Sequence, residues 1–124
     1  MNVDSVIKRL PGLALIAMVL VTIAIAILSL LPGSDLPAQN LNDKVNHFIA
    51  YGVLTFLAVL GRHRISILKI AVLAIGYGLM LEILQGAMPF GRTASGLDAI
   101  ANIGGVLIGT ACGVLVGRYW LRQT

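Results

Sequence analysis

Leu13-Ala14-Leu15-Ile16-Ala17-Met18-Val19-Leu20-Val21-Thr22-Ile23-Ala24-Ile25-Ala26-Ile27-Leu28-Ser29-Leu30-Leu31 runs for nineteen residues without a charged side chain. A stretch of about 20 such residues, wound as a helix, crosses a hydrocarbon layer about 30 Å thick. The rest of the chain agrees with that reading. Of 124 residues, 58% are apolar and 11% charged, whereas a soluble domain carries about 25% charged residues. A chain this apolar needs lipid as its solvent. Lys8 and Arg9 precede the run as in a secretory leader, but the run exceeds an h-region of about 7–15 residues. No small-x-small cleavage pattern follows it, so the reading is a retained first span.

Three further runs can be followed outward from this one. Pro32-Gly33-Ser34-Asp35-Leu36-Pro37 ends the first, because proline and glycine punctuate helices. The expected spans are Pro11–Leu31, Asp43–Leu60, Ile65–Gly86 and Leu97–Trp120, with Asn2–Leu10 as a short interfacial segment. They define an all-α integral membrane bundle of four transmembrane helices, forming one domain over residues 1–124. Four spans nearly exhaust the chain and leave no room for a soluble catalytic domain.

Lysine and arginine set the expected orientation. With the N-terminus inside, the inner segments hold Lys8, Arg9, Arg62, Arg64, Lys69, Arg118 and Arg122, and the outer ones hold Lys44 and Arg92. This bias places both termini in the cytoplasm. The same placement explains the net charge of +4 without nucleic acid. His63, between Arg62 and Arg64, belongs to the same basic inner loop, and Trp120 and Tyr119 suit an interface belt. Cys112 stands alone in an apolar run, so no internal disulfide and no Cys/His metal spacing exists. Gly105, Gly109, Gly113 and Gly117 recur every fourth residue. Such a stripe lets another helix approach closely, either within the bundle or in a homo-oligomer.

The polar residues that remain are not scattered. Asp43, Lys44, His47 and Tyr51 open the second span, Glu82 and Gln85 close the third, Arg92 lies in the following loop, and Asp98 and Asn102 open the fourth. In the expected topology all nine fall at the outer end. Asp43, His47 and Tyr51 share a helix face by fours, as do Asp98 and Asn102, and Glu82 and Gln85 share one by threes. Asn42 or Asp43 is also placed to cap the second span. Ser95-Gly-Leu-Asp98 has the pattern of a capping box. Lys44, Arg92 and Tyr51 also suit a headgroup region. Glu82 is the costly one: a carboxylate about one turn inside a span must be paired or protonated, and so marks function or a buried ion pair with Arg92 or Lys44. Beside Glu82 and Asp98, His47 becomes a candidate proton carrier, since imidazole exchanges protons near neutrality.

At these residues the chain resembles the VanZ-like family of bacterial membrane proteins. The matching stretches are Asp43-Lys44-Val45-Asn46-His47-Phe48-Ile49-Ala50-Tyr51, Glu82-Ile83-Leu84-Gln85, and Gly91-Arg92-Thr93-Ala94-Ser95-Gly96-Leu97-Asp98 continuing through Asn102-Ile103-Gly104-Gly105. Order and spacing match along about residues 41 to 113, and the first span matches only as an apolar helix. The resemblance implies a helical protein of the bacterial cytoplasmic membrane. Founding members are linked with low-level resistance to the glycopeptide teicoplanin, but that link brings no mechanism.

Three functions fit the residues. The first is an outward-facing pocket that binds, and in one version alters, a lipid headgroup or lipid-linked wall precursor. Arg92 and Lys44 would hold an anion. His47 and Glu82 would act as acid and base, with Asp98 orienting His47. Asp43, Tyr51, Gln85 and Asn102 would position the ligand. No nucleophile motif surrounds Ser95 or Thr93, so the sequence leaves open whether any reaction occurs. It calls for no cofactor, and a metal on His47, Glu82 and Asp98 has only isolated ligands behind it. The second function is a small transporter or proton-coupled binder, although the inner halves of the spans offer almost no polar side chains. The third is a non-catalytic partner of another membrane protein.

Overall fold

The computed structural model describes residues 3–32, 43–62, 64–89 and 93–121. Arg92, with Asn42, His63 and Arg122, lies outside the described residues. Four helices account for nearly all of the rest: α1 (Val3–Leu30), α2 (Asp43–Gly61), α3 (Ile67–Ala87) and α4 (Gly96–Leu121). All four are long and apolar enough to cross a membrane. At about 1.5 Å per residue the shortest, α2, is about 28 Å long.

Three of the expected spans match these helices to within two residues at each end. The first does not. Asn2–Leu10 was expected as a separate interfacial segment, but α1 runs unbroken from Val3 with Pro11 inside it. Proline removes one N–H from the ladder, leaving the carbonyl four residues earlier, that of Ile7, without its usual donor. That is a local cost near the end of a long apolar helix, and it does not break the rod.

The arrangement is up-and-down. α2 sits centrally and touches α1, α3 and α4; α1 also touches α3. α4 lies chiefly along α2, and glycine makes that possible. A Cβ on Gly105 would run into the Phe48 carbonyl oxygen, and one on Gly109 into the Gly52 carbonyl oxygen and the Thr55 hydroxyl. One on Gly113 would come 2.8 Å from Val59 Cβ. The glycine stripe is therefore occupied by α2 from Gly105 to Gly113. Gly117 has nothing within 4 Å and is the member of the stripe left for any other neighbour.

The core is small, comprising Ile25, Tyr51, Leu54, Ala74, Leu81 and Val106. Large apolar side chains dominate the outside instead, with Leu68 73% exposed, Ile83 70% and Leu115 66%. In water a surface of this kind would aggregate; in lipid it is the outer wall of the bundle.

Candidate functional site

The start of α2, the end of α3 and the start of α4 meet at one end of the bundle, and each brings polar side chains. The α2 series descends into the bundle: Asp43 is half exposed, the His47 side chain is 11% exposed and Tyr51 is buried. Successive fours along one face produce this gradient.

His47 is the hub. Its Nδ1–H donates to Asn102 Oδ1 at 2.9 Å. Glu82 Oε1 stands 3.8 Å from the same nitrogen. The other nitrogen, Nε2, faces Asp43 Oδ2 at 3.9 Å and Asp98 Oδ2 at 4.0 Å. Those two separations exceed a hydrogen bond. Asn102, expected among the ligand-positioning residues, is thus the group that orients His47. Asp98, expected in the orienting role, instead meets Lys44 Nζ at 3.3 Å through Oδ1. That contact is one of charge, since buried Oδ1 has no hydrogen bond of good geometry.

Glu82 is buried at 6% exposure. Of the two partners expected for it, Lys44 meets Asp98 and Arg92 lies outside the described residues. Glu82 Oε2 instead accepts the backbone N–H of Ser95 at 3.0 Å. Ser95 is the N-cap of α4, its hydroxyl accepting the N–H of Asp98 at 3.3 Å. In a capping box the third helical residue returns the favour to the cap's own N–H. Here a side chain from α3 takes that place, which leaves the Asp98 carboxylate free for Lys44. It also sets a carboxyl group at the N-terminus of α4, where unpaired N–H groups point.

Two expected site residues also make structural contacts. Gln85 is buried and donates through Nε2 to the Ser29 carbonyl at 2.6 Å, tying α3 to α1. Tyr51 lies in the core, its ring 6.3 Å from that of Tyr77. Below the cluster Tyr77 donates to the Thr22 carbonyl at 2.6 Å, Thr22 to that of Met18 at 2.8 Å, and Thr55 to that of Tyr51 at 2.8 Å, whereas the buried Thr110 hydroxyl has no hydrogen-bond partner among the described residues.

Sequence reasoning missed Gly78. A Cβ there would come 3.0 Å from Asn102 Nδ2 and 3.1 Å from Tyr51 Cε1. The bare backbone of α3 makes room for the residue that holds His47. The signal was available, since Gly78 lies four before Glu82 and so on the same face.

Among the described residues, Asp43, His47 and Asp98 each offer a donor atom, and these lie within 4.8 Å of one another. This is a different triplet from the His47, Glu82 and Asp98 considered on sequence, because Glu82 stands on the Nδ1 side. With Nδ1–H held by Asn102, Nε2 is the outward end, as in many metal-binding histidines. Lys44 already brings a positive charge to Asp98, the charge a metal would otherwise bring. The arrangement can bind an anion at Lys44 and exchange a proton at Nε2 within the same few ångströms.

A family model described as VanZ/LLP1 matches residues 11–117. The match takes in all nine polar positions and most of the chain. No curated protein and no solved structure matches the chain.

Proposed function

The chain belongs to the VanZ/LLP1 family, and from that membership we propose that it binds an anionic lipid headgroup or lipid-linked wall precursor from the outer leaflet of the bacterial cytoplasmic membrane. The observation that carries the reading is the posture of His47. Asn102 holds Nδ1, and Nε2 faces half-exposed Asp43 and buried Asp98, beside which half-exposed Lys44 stands. Lys44, with Arg92 of the stretch between α3 and α4 in the sequence, supplies the charge that holds phosphate or carboxylate. His47 is the proton carrier, flanked by Glu82 and Asp98, and Asp43 meets the ligand at the rim. In the version with chemistry, His47 gives or takes the proton of the bound group. A contribution to teicoplanin resistance would follow from occupying or altering a wall precursor.

The closed hydrogen bonds of Thr22, Thr55 and Tyr77 support a dead end over a path through the bilayer, since the Thr110 hydroxyl alone does not make a chain of polar groups. A conducting path needs polar groups left free to face water or an ion.

The test reconstitutes the purified protein in nanodiscs made from a bacterial lipid extract and mass-resolves the lipids retained and changed. The wild type should enrich an anionic species. Lys44→Gln should lower that enrichment about tenfold, the scale of one charge-assisted contact. His47→Ala and Glu82→Gln, shown folded by circular dichroism, should abolish any change in headgroup mass and any rise in teicoplanin tolerance of an expressing host. Identical lipid profiles and tolerance for all four proteins would remove the proposal.

A further inference from the structure

At the opposite end of the bundle is a cleft of about 650 Å³ between the start of α1, the α2–α3 connection and the end of α4. This is within the size range of small-molecule sites, about 300–1,000 Å³. Its walls are apolar: Ile7, Leu10, Val59 and Val114, with Trp120 at the edge. Its rim is not, since Arg62, Arg64 and Arg118 all border it. Among the described residues, none of the three meets a carboxylate.

The positive-inside rule accounts for arginines at this end of the bundle. It does not account for their gathering from two separate stretches around one hollow. A second feature points the same way. Ser66 and Ile67 line the cleft and open α3, a helix of 21 residues. The Ser66 hydroxyl and carbonyl take the N–H groups of Lys69 and Ile70. The N–H groups of Ile67 and Leu68 have no carbonyl four residues back within the helix to receive them. A helix N-terminus favours an anion. The floor is open as well, because Gly117 has nothing within 4 Å of where a Cβ would stand.

We propose that this cleft binds an anionic diacyl phospholipid, its phosphate between Arg62, Arg64 and Arg118 at the start of α3 and its acyl chains between α1 and α4 over Gly117. Basic hollows between membrane helices, apolar below and arginine-rimmed above, have this chemistry. A soluble anion would use the rim and waste the floor. A second copy of the chain would bring more arginines to the same rim. The proposal is independent of the headgroup site described above, which lies at the other end.

Native mass spectrometry of detergent-purified protein tests it, with phosphatidylglycerol and phosphatidylethanolamine as probes. The wild type should retain one phosphatidylglycerol in preference to phosphatidylethanolamine. Arg62→Gln with Arg118→Gln should cut retention roughly tenfold or more, while Arg62→Lys with Arg118→Lys should retain most of it. Gly117→Leu fills the floor without touching charge and should also displace the lipid. Glycerol phosphate in excess should not compete. Equal retention of the two lipids, unchanged retention in the Gln and Leu variants, or competition by glycerol phosphate would overturn the proposal. So would retention that falls on Lys44→Gln and is unchanged in the Arg62→Gln with Arg118→Gln variant, which would place the lipid at the other end. Should the Gln pair fail to fold, Gly117→Leu decides the matter.

Discussion

Glu82 holds the N-terminus of a neighbouring helix, and that can be separated from any role in chemistry. Its Oε2 accepts the Ser95 N–H at 3.0 Å in a buried setting. Glu82→Gln keeps an oxygen able to face that donor and should cost under about 1 kcal/mol of stability. Glu82→Leu leaves the Ser95 N–H without an acceptor and should cost about 1–3 kcal/mol, the penalty for an orphaned buried donor. Thermal unfolding in one detergent, followed by circular dichroism, measures both. A Leu variant as stable as wild type would mean that the Ser95 contact contributes nothing. Ser95→Ala, which removes the hydroxyl from Asp98 N–H, should cost about 1 kcal/mol by the same measurement. At this scale the sequence showed which side chains gather but not how they pair. Helical spacing gives a residue's face and says nothing of the rotation of one helix against another. Hence Lys44 could be matched to Glu82 on sequence, while in the fold it reaches Asp98 and leaves Glu82 to a backbone N–H. For the same reason the hydrogen bond to His47 comes from Asn102 and not from Asp98.

Among the elements, the contact between α2 and α4 sets the site, because it brings His47 within 2.9 Å of Asn102. It depends on the absence of side chains at Gly105 and Gly109. Each alanine there would gain about 1 kcal/mol in helix propensity. It would also press a methyl into a facing carbonyl that has no side-chain freedom to yield. Overpacking of this kind costs about 1–3 kcal/mol. Gly105→Ala and Gly109→Ala should therefore be destabilised, and Gly117→Ala should be neutral or more stable, in the same unfolding assay. Equal effects at all three would mean that α2 does not lie on this stripe. The spacing of four in the sequence announced a close helix neighbour without saying which one. Helix ends were legible where glycine, proline or charge interrupts an apolar run. The start of α1 was not, since Lys8, Arg9 and Pro11 look like a boundary, although one helix passes through all three.

For the molecule as a whole, the up-and-down bundle turns a count of charges into a statement about two ends. The starts of α1 and α3 and the ends of α2 and α4 share one end, where Ile7, Arg62, Ser66 and Arg118 line a common cleft. Among the described residues that end carries Lys8, Arg9, Arg62, Arg64, Lys69 and Arg118, while the end with His47 carries Lys44. Six against one is a strong asymmetry, and segments rich in lysine and arginine stay in the cytoplasm. The His47 cluster should accordingly open to the outside. Val45 and Ile65 are half exposed at the two ends, and neither is an ionisable residue. In a Cys112→Ala background, Val45→Cys should react with a membrane-impermeant maleimide added to intact cells, and Ile65→Cys should react only after the membrane is opened. The reverse pattern would turn the cluster toward the cytoplasm and remove the outer-leaflet ligand, although the geometry around His47 would stand. Arg62→Glu with Arg64→Glu narrows the asymmetry without altering the apolar runs. If charge sets the orientation, that pair should raise the fraction of inverted molecules in the same labelling assay, since the hydrocarbon spans themselves carry no preference for either direction.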